Sequence, residues 1–230
     1  MLSDEQFILP RVIEDFSTQS ILAMTFIEGV PIDEITQLPQ QLRDKAVESL
    51  IGLFFNELFT YQLMQTDPNF ANYLYQPDNQ RIALLDFGAT HKISPPLVQI
   101  YHQLMLAGLS GDDVALEETI KGIGFIDENT KDSQRKQIVH MVKLVFDTLQ
   151  NNRYLDFADT KLATHLQDSA MALAKDGFLP PPLPIDVLLL QRKFGGMFLL
   201  AAKLAARVDV LSLLADHLVH RDTPISASHD

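Results

Sequence analysis

The segment "QTDPNFANYLYQPDNQRIALLDFGAT", residues 65–90, holds Asp67, then Asn72 five positions later, then Asp86 directly before Phe87 and Gly88. Two carboxylates and one amide offer hard oxygen donors. Mg2+ takes few protein ligands of this kind and leaves its other positions to water and phosphate oxygens. A polyphosphate carries dense negative charge, so a cation must bridge it to an acidic side chain. These residue types suit metal-assisted phosphoryl chemistry. Asp86 and Asn72 are the candidate metal ligands. Asp67 is the candidate catalytic group, orienting an attacking hydroxyl or water and accepting its proton. Gly88 would let the chain turn sharply after its ligand. The same words also read as turn chemistry, and a lone Asp-Phe-Gly is a weak motif. The elements that carry the three side chains decide between the two.

Ahead of them, "LPQQLRDKAVESLIGLFFNELFTYQLM" has helical period. Leu42, Ala46, Leu50, Leu53 and Phe54 share one face, Leu58 follows, and Arg43, Asp44, Lys45 and Glu48 lie outside it. The runs "NYLYQ" and "RIALLDF", joined by "PDNQ", predict a hairpin. Asp67 and Asn72 therefore precede the hairpin and Asp86 follows it. At the front, "RVIEDFSTQSILAMTFIEG" predicts two strands, Val12 to Phe16 and Ile21 to Ile27, ended by Gly29 and Pro31. After about Ser94 the pattern is helical, with five helices, a break at "LPPPLP", and "VLSLLADHLVH" as an extension or a short sixth. There is no internal repeat. The expected class is α+β, mainly α-helical.

Helix, loop Asp, an Asn five positions on, hairpin, then Asp-Phe-Gly is the order of the catalytic half of a protein kinase. In that order the strand ahead of the long helix presents backbone groups to adenine. "ILAMTFIEGVPI" has this form. Met24 would be the gatekeeper, the Thr25 carbonyl and the Ile27 N–H would meet the adenine edge, and Leu74 would floor the pocket. The cofactors so implied are ATP and Mg2+. An ordinary buried strand followed by a turn would look similar in these four residues.

The composition limits the partners. The chain has 230 residues, 47% of them apolar, enough for a substantial core. It has no cysteine, which excludes disulfides and thiolate metal sites. The net charge of −12 argues against nucleic acid and against charge-driven docking on anionic lipid. No stretch is long and apolar enough to predict a transmembrane segment, and the N-terminus lacks the pattern of a secretory signal.

"MQTDPNFANYLY", "RIALLDFGATHKI" and "PPPLPIDVLLLQRKFGGMFLLAAKLAARV" resemble the UbiB/AarF (ADCK-type) atypical kinase-like family, nearest to its ubiquinone-biosynthesis branch. The likeness covers roughly residues 8–218. It implies ATP binding and slow hydrolysis in support of coenzyme Q enzymes at a membrane, without ordinary protein-kinase activity. It further implies, as partners, ubiquinone-biosynthesis proteins or an isoprenoid lipid. The implied location is cytoplasmic and peripheral on a membrane, or mitochondrial in a eukaryote.

Departures from ordinary kinases are legible in the residues. Gln65 and Thr66 precede the catalytic Asp, so the Arg that would read a phosphorylated activation loop is missing. Only "ATHKISP" separates Gly88 from the next helix, too little for a peptide-docking platform. A small or lipid-like substrate, or water, fits better than a protein. Before Met24 there is no Lys, and the only Glu are Glu5 and Glu14. The strand Lys and helix Glu of a complete small lobe are thus absent, as is the family's Lys-x-Gly-Gln helix. The expected arrangement is a kinase-like large (C-terminal) lobe with a two-stranded remnant of the small lobe. Residues 1–30 would be the remnant and hinge, 31–220 the large lobe and 221–230 a flexible tail. Such a fragment alone is expected to be inactive or nearly so. The competing expectations are a non-catalytic pseudokinase or helical scaffold and, ranked last, an aminoglycoside- or choline-kinase-like enzyme.

Overall fold

A computed structural model of the chain describes residues 6–218. The predicted hairpin forms as strands β4 (Tyr73–Gln76) and β5 (Arg81–Leu84), paired antiparallel with Tyr73 opposite Leu84. Its turn closes through Gln80, whose left-handed φ of 58° lets its N–H donate to the Gln76 carbonyl at 2.8 Å. β1 (Phe7–Ile8) adds parallel to β5 and β2 (Val30–Pro31) antiparallel to β4, giving the order β1-β5-β4-β2. A second ladder joins β3 (Leu63–Gln65) to β6 (Thr90–Lys92), with Gln65 opposite Thr90. These two ladders hold both ends of the segment that contains Asp67, Asn72 and Asp86.

Helix α1 (Gln40–Phe55) buries Ala46, Val47, Leu50, Leu53, Phe54 and Phe55, close to the predicted face. It does not run straight to the strand. At Asn56–Tyr61 it widens into a π-helix, and Gln62 ends it in the left-handed region. A π turn resets the helical phase, and such turns recur at functional sites. Here it leaves Glu57, Leu58 and Phe59 buried. The remaining helices are α2 (Pro95–Ser110), α3 (Asp113–Ile123), α4 (Asp132–Asn151), α5 (Lys161–Lys175), α6 (Ile185–Lys203) and α7 (Val210–Leu218). Their ends follow the sequence signals. α2 has Pro at its start and stops at Gly111 in the left-handed region. The Asp112 carboxylate caps α3 by accepting from Val114 and Ala115 N–H. A short antiparallel ladder between β7 (Leu155–Asp156) and β8 (Arg207–Val208), on either side of α5 and α6 in the chain, was not foreseen.

Two apolar cores meet along α1 and α6. One joins Phe54–Phe59 to α2, α3 and α4; the other joins the inner face of α1 to β4 and β5. α6 gives Val187 and Leu190 to the first and Met197, Leu200 and Ala201 to the second. Each large apolar side chain buried this fully contributes about 1.5–3 kcal/mol. The middle of α6 is thereby fixed between the cores, beside the loop after β3.

The front two strands are shorter than predicted. Ile13 N–H donates to the Ala23 carbonyl and Thr25 N–H to the Arg11 carbonyl, around a single bridge between Val12 and Met24. Glu14–Phe16 is a 3-10 turn rather than strand. Phe16, Ile21, Leu22 and Phe26 are exposed. A two-stranded ribbon with neither face covered has little to extend it. The predicted tail, 221–230, lies outside the described residues. The α+β, mainly helical class holds.

Candidate functional site

Asp67 and Asn72 occupy one turn of chain. Asn69 caps the 3-10 helix Phe70–Asn72, its Oδ1 accepting from Ala71 N–H, and this curls Asn72 back over Asp67. Asn72 Nδ2 donates to Asp67 Oδ2 at 3.0 Å. Asn72 is also tied to the far side of the hairpin, where its carbonyl accepts from Leu85 N–H at 3.0 Å. Asp86 is the next residue. Asn72 and Asp86 line one narrow crevice together with Leu53, Glu57, Gln65, Tyr73, Leu84 and Phe87. The loop is also fastened to the segment after Asp86, because Thr66 N–H and Oγ1 both donate to the Ala89 carbonyl. The structure therefore joins Asp67 to Asn72 by a hydrogen bond and sets Asn72 and Asp86 on one crevice, which Asp67 does not line.

Asp86 turns on itself, its Oδ1 accepting from Gly88 N–H at 2.7 Å. The reason for glycine differs from the expectation. Gly88 is not in the left-handed region; a Cβ there would lie 3.1 Å from Asp86 Oδ1. The glycine leaves room for the carboxylate rather than supplying an unusual φ.

The hinge residues divide. Met24 is 41% exposed, and Thr25 is bonded to Arg11 through both its N–H and its Oγ1. Ile27 is buried. Leu74 lies opposite Pro31, and its Cβ would be 2.9 Å from a Cβ at Gly29. Gly29 and Leu74 are thus in close contact, while Met24 faces solvent in part.

Sequence reasoning missed the second layer. Arg192 Nη2 donates to Asp67 Oδ1 at 3.2 Å. Lys193, only 2% exposed, places its Nζ 2.8 Å from Tyr73 Oη, 3.3 Å from Gln65 Oε1 and 3.7 Å from Glu57 Oε2. Glu57 Oε1 accepts from Gln65 N–H at 3.3 Å. Burial pushes the Glu57 carboxyl above its ordinary value, although the nearby Lys193 ammonium pulls the other way. Gly196 packs against Pro68, where a Cβ would meet Pro68 Cβ at 2.1 Å. The signal was present in "RKFGG", but nothing in sequence tied it to a loop some 125 residues earlier.

The donor set fits Mg2+ held partly by phosphates. Among the described residues no three His, Cys, Asp or Glu side chains cluster as a metal-binding group. The Asp86 carboxylate and the Asn72 amide make the sparse, oxygen-only set that Mg2+ uses with a nucleotide. A groove of about 980 Å³ lies elsewhere, between α1, α7 and the β7–β8 ladder, and none of Asp67, Asn72 and Asp86 lines it.

The chain is 29% identical over 218 residues to the mitochondrial atypical kinase coq-8 of Caenorhabditis elegans, covering 93% of this chain and 28% of that protein. It is 27% identical over 220 residues to the mitochondrial atypical kinase COQ8 of Saccharomyces cerevisiae, covering 95% and 44%. The chain thus spans less than half the length of these relatives. The fold matches the structure of Rv3197 with erythromycin from Mycobacterium tuberculosis, with a TM-score of 0.70 and 22% identity over 94% of this chain and 53% of that one. The ABC1 atypical kinase-like domain model matches residues 1–120, more than half of the chain, and the chain belongs to that family.

Proposed function

We propose that this chain is the large lobe, residues 31–220, with a small-lobe remnant and hinge at 1–30, of an atypical kinase that binds Mg2+·ATP. Its acceptor is a small or lipid-like molecule, or water. The observation that carries the reading is the double tie of Asn72, through its side chain to Asp67 and through its carbonyl to the residue before Asp86. Asp86 and Asn72 would hold the metal, which supplies neutralisation of phosphate charge when bound. Met24, the Thr25 carbonyl, the Ile27 N–H and Leu74 would receive adenine. Asp67 would orient the acceptor O–H and take its proton, while the acceptor oxygen would replace ADP on the transferred phosphorus. The short link from Gly88 to α2 supports a non-protein acceptor, since it leaves no platform for a peptide.

The relatives' names and the "QTDPN" and "LLDFGAT" words support a role in ubiquinone biosynthesis, at a membrane surface and mitochondrial in a eukaryote. Among the described residues no helix is long and apolar enough to cross a membrane. The alternative of a non-catalytic scaffold draws support from Arg192, which occupies the second oxygen of Asp67. A thermal-shift titration with ATP, with and without Mg2+, on this chain and on a longer form, separates the two. Ligand at a hundred times Kd stabilises by about 2.7 kcal/mol. A Mg2+-dependent shift is expected; no shift in either form favours the scaffold.

A further inference from the structure

Lys193 meets three oxygens from three elements: Tyr73 of β4, Gln65 of β3 and Glu57 of the π turn. An ammonium has three N–H donors; Tyr73 Oη and Gln65 Oε1 lie within hydrogen-bond distance, and Glu57 Oε2, at 3.7 Å, is its ion-pair partner. Its position over the Tyr73 ring, 5.5 Å from the centroid, adds a cation–π contact. Gln65 and Tyr73 flank the loop that carries Asp67 and Asn72. The same face of α6 reaches that loop twice more, through Arg192 to Asp67 and through Gly196 to Pro68.

Stability alone does not account for a lysine here. Desolvating an ammonium and a carboxylate costs several kcal/mol per ion. Exchange of such a pair for apolar residues of similar volume is often neutral or stabilising. An apolar side chain at 193 would fill the space but could not hold the Gln65 amide and the Tyr73 hydroxyl in one place.

We infer that Lys193 is a positioning residue of the candidate site: paired with Glu57, it clamps both ends of the 65–73 loop and so sets where Asp67 and Asn72 lie relative to Asp86. This rests on the reading of those three residues as the nucleotide site. Lys193 itself touches neither metal nor nucleotide. It acts through Gln65 and Tyr73.

The test compares the chain with Lys193→Met and with the double variant Glu57→Leu/Lys193→Met. The single change strands a buried carboxylate and is expected to lower Tm. The double change removes both charges and is expected to restore Tm close to the original. Hydrogen exchange at Thr66 N–H, which is bonded to the Ala89 carbonyl and not to Glu57, should nevertheless quicken at least about tenfold in the double variant, with α2 and α3 unchanged, and the Kd for Mg2+·ATP should rise at least about tenfold. A purely structural lysine predicts that loop exchange and Kd recover along with Tm, and that result would overturn the inference. If the unaltered chain takes no Mg2+·ATP, the nucleotide reading fails by itself. The exchange arm then decides the clamp alone.

Discussion

Gly196 and Pro68 touch so closely that a single methyl group cannot be placed between them: the Cβ that alanine would add at 196 lies 2.1 Å from Pro68 Cβ. Pro68 follows Asp67, so this contact sets how near α6 comes to the candidate base. Gly195, its neighbour in sequence, has nothing within 4 Å of the corresponding position. Gly196→Ala is predicted to cost about 1–3 kcal/mol through overpacking. Gly195→Ala is predicted to be neutral or to gain up to about 1 kcal/mol, because alanine is the better helix former. Urea unfolding of the two variants measures the difference. Equal stabilities would mean that α6 and the loop are not in contact.

The buried Glu57 gives a pH signature. Burial raises its carboxyl above 4.5, so the folded chain binds this proton more tightly than the unfolded chain does. Its contribution to stability is then full below about 4.5 and is lost as pH rises through the elevated folded value. Glu57→Gln cannot titrate. The stability of the unaltered chain relative to this variant is predicted to fall across that window and to level off above it. Chemical denaturation of both forms at several pH values checks the sign. A relative stability that rises with pH would show that Lys193 outweighs burial.

The Arg192 contact with Asp67 should matter little to folding. The arginine side chain is 61% exposed, and ion pairs this open contribute about 0–1 kcal/mol. Arg192→Ala is expected to move thermal stability by less than about 1 kcal/mol, with the difference shrinking further in high salt. A larger, salt-resistant loss would place Arg192 in the buried clamp with Lys193.

The Asp67–Asn72 bond and the shared crevice of Asn72 and Asp86 were legible in sequence because these residues are close along the chain. The five-residue Asp67–Asn72 spacing fits a 3-10 turn capped by Asn69, and the hairpin between Asn72 and Asp86 announces itself through "PDNQ". The helices after Ser94 were legible for the same local reason. What could not be read is set by contacts distant in sequence. The clamp joins residues 57, 65 and 73 to residue 193, and no periodicity encodes that. The π turn after α1 was hidden because its buried residues continue an apolar helical pattern. The front strands were overread: Ile21, Leu22 and Phe26 have strand-like residue types but lie exposed, so local propensity had no packing to support it.

Direct binding of ATP tests the central claim, measured by calorimetry on this chain, on Asp86→Asn and on Asp67→Asn, each with and without Mg2+. The account predicts Mg2+-dependent binding that weakens at least about tenfold in Asp86→Asn, where a metal ligand is lost, and persists in Asp67→Asn, where only the proton acceptor is lost. Binding that ignores Mg2+, or that is unchanged in Asp86→Asn, would contradict it.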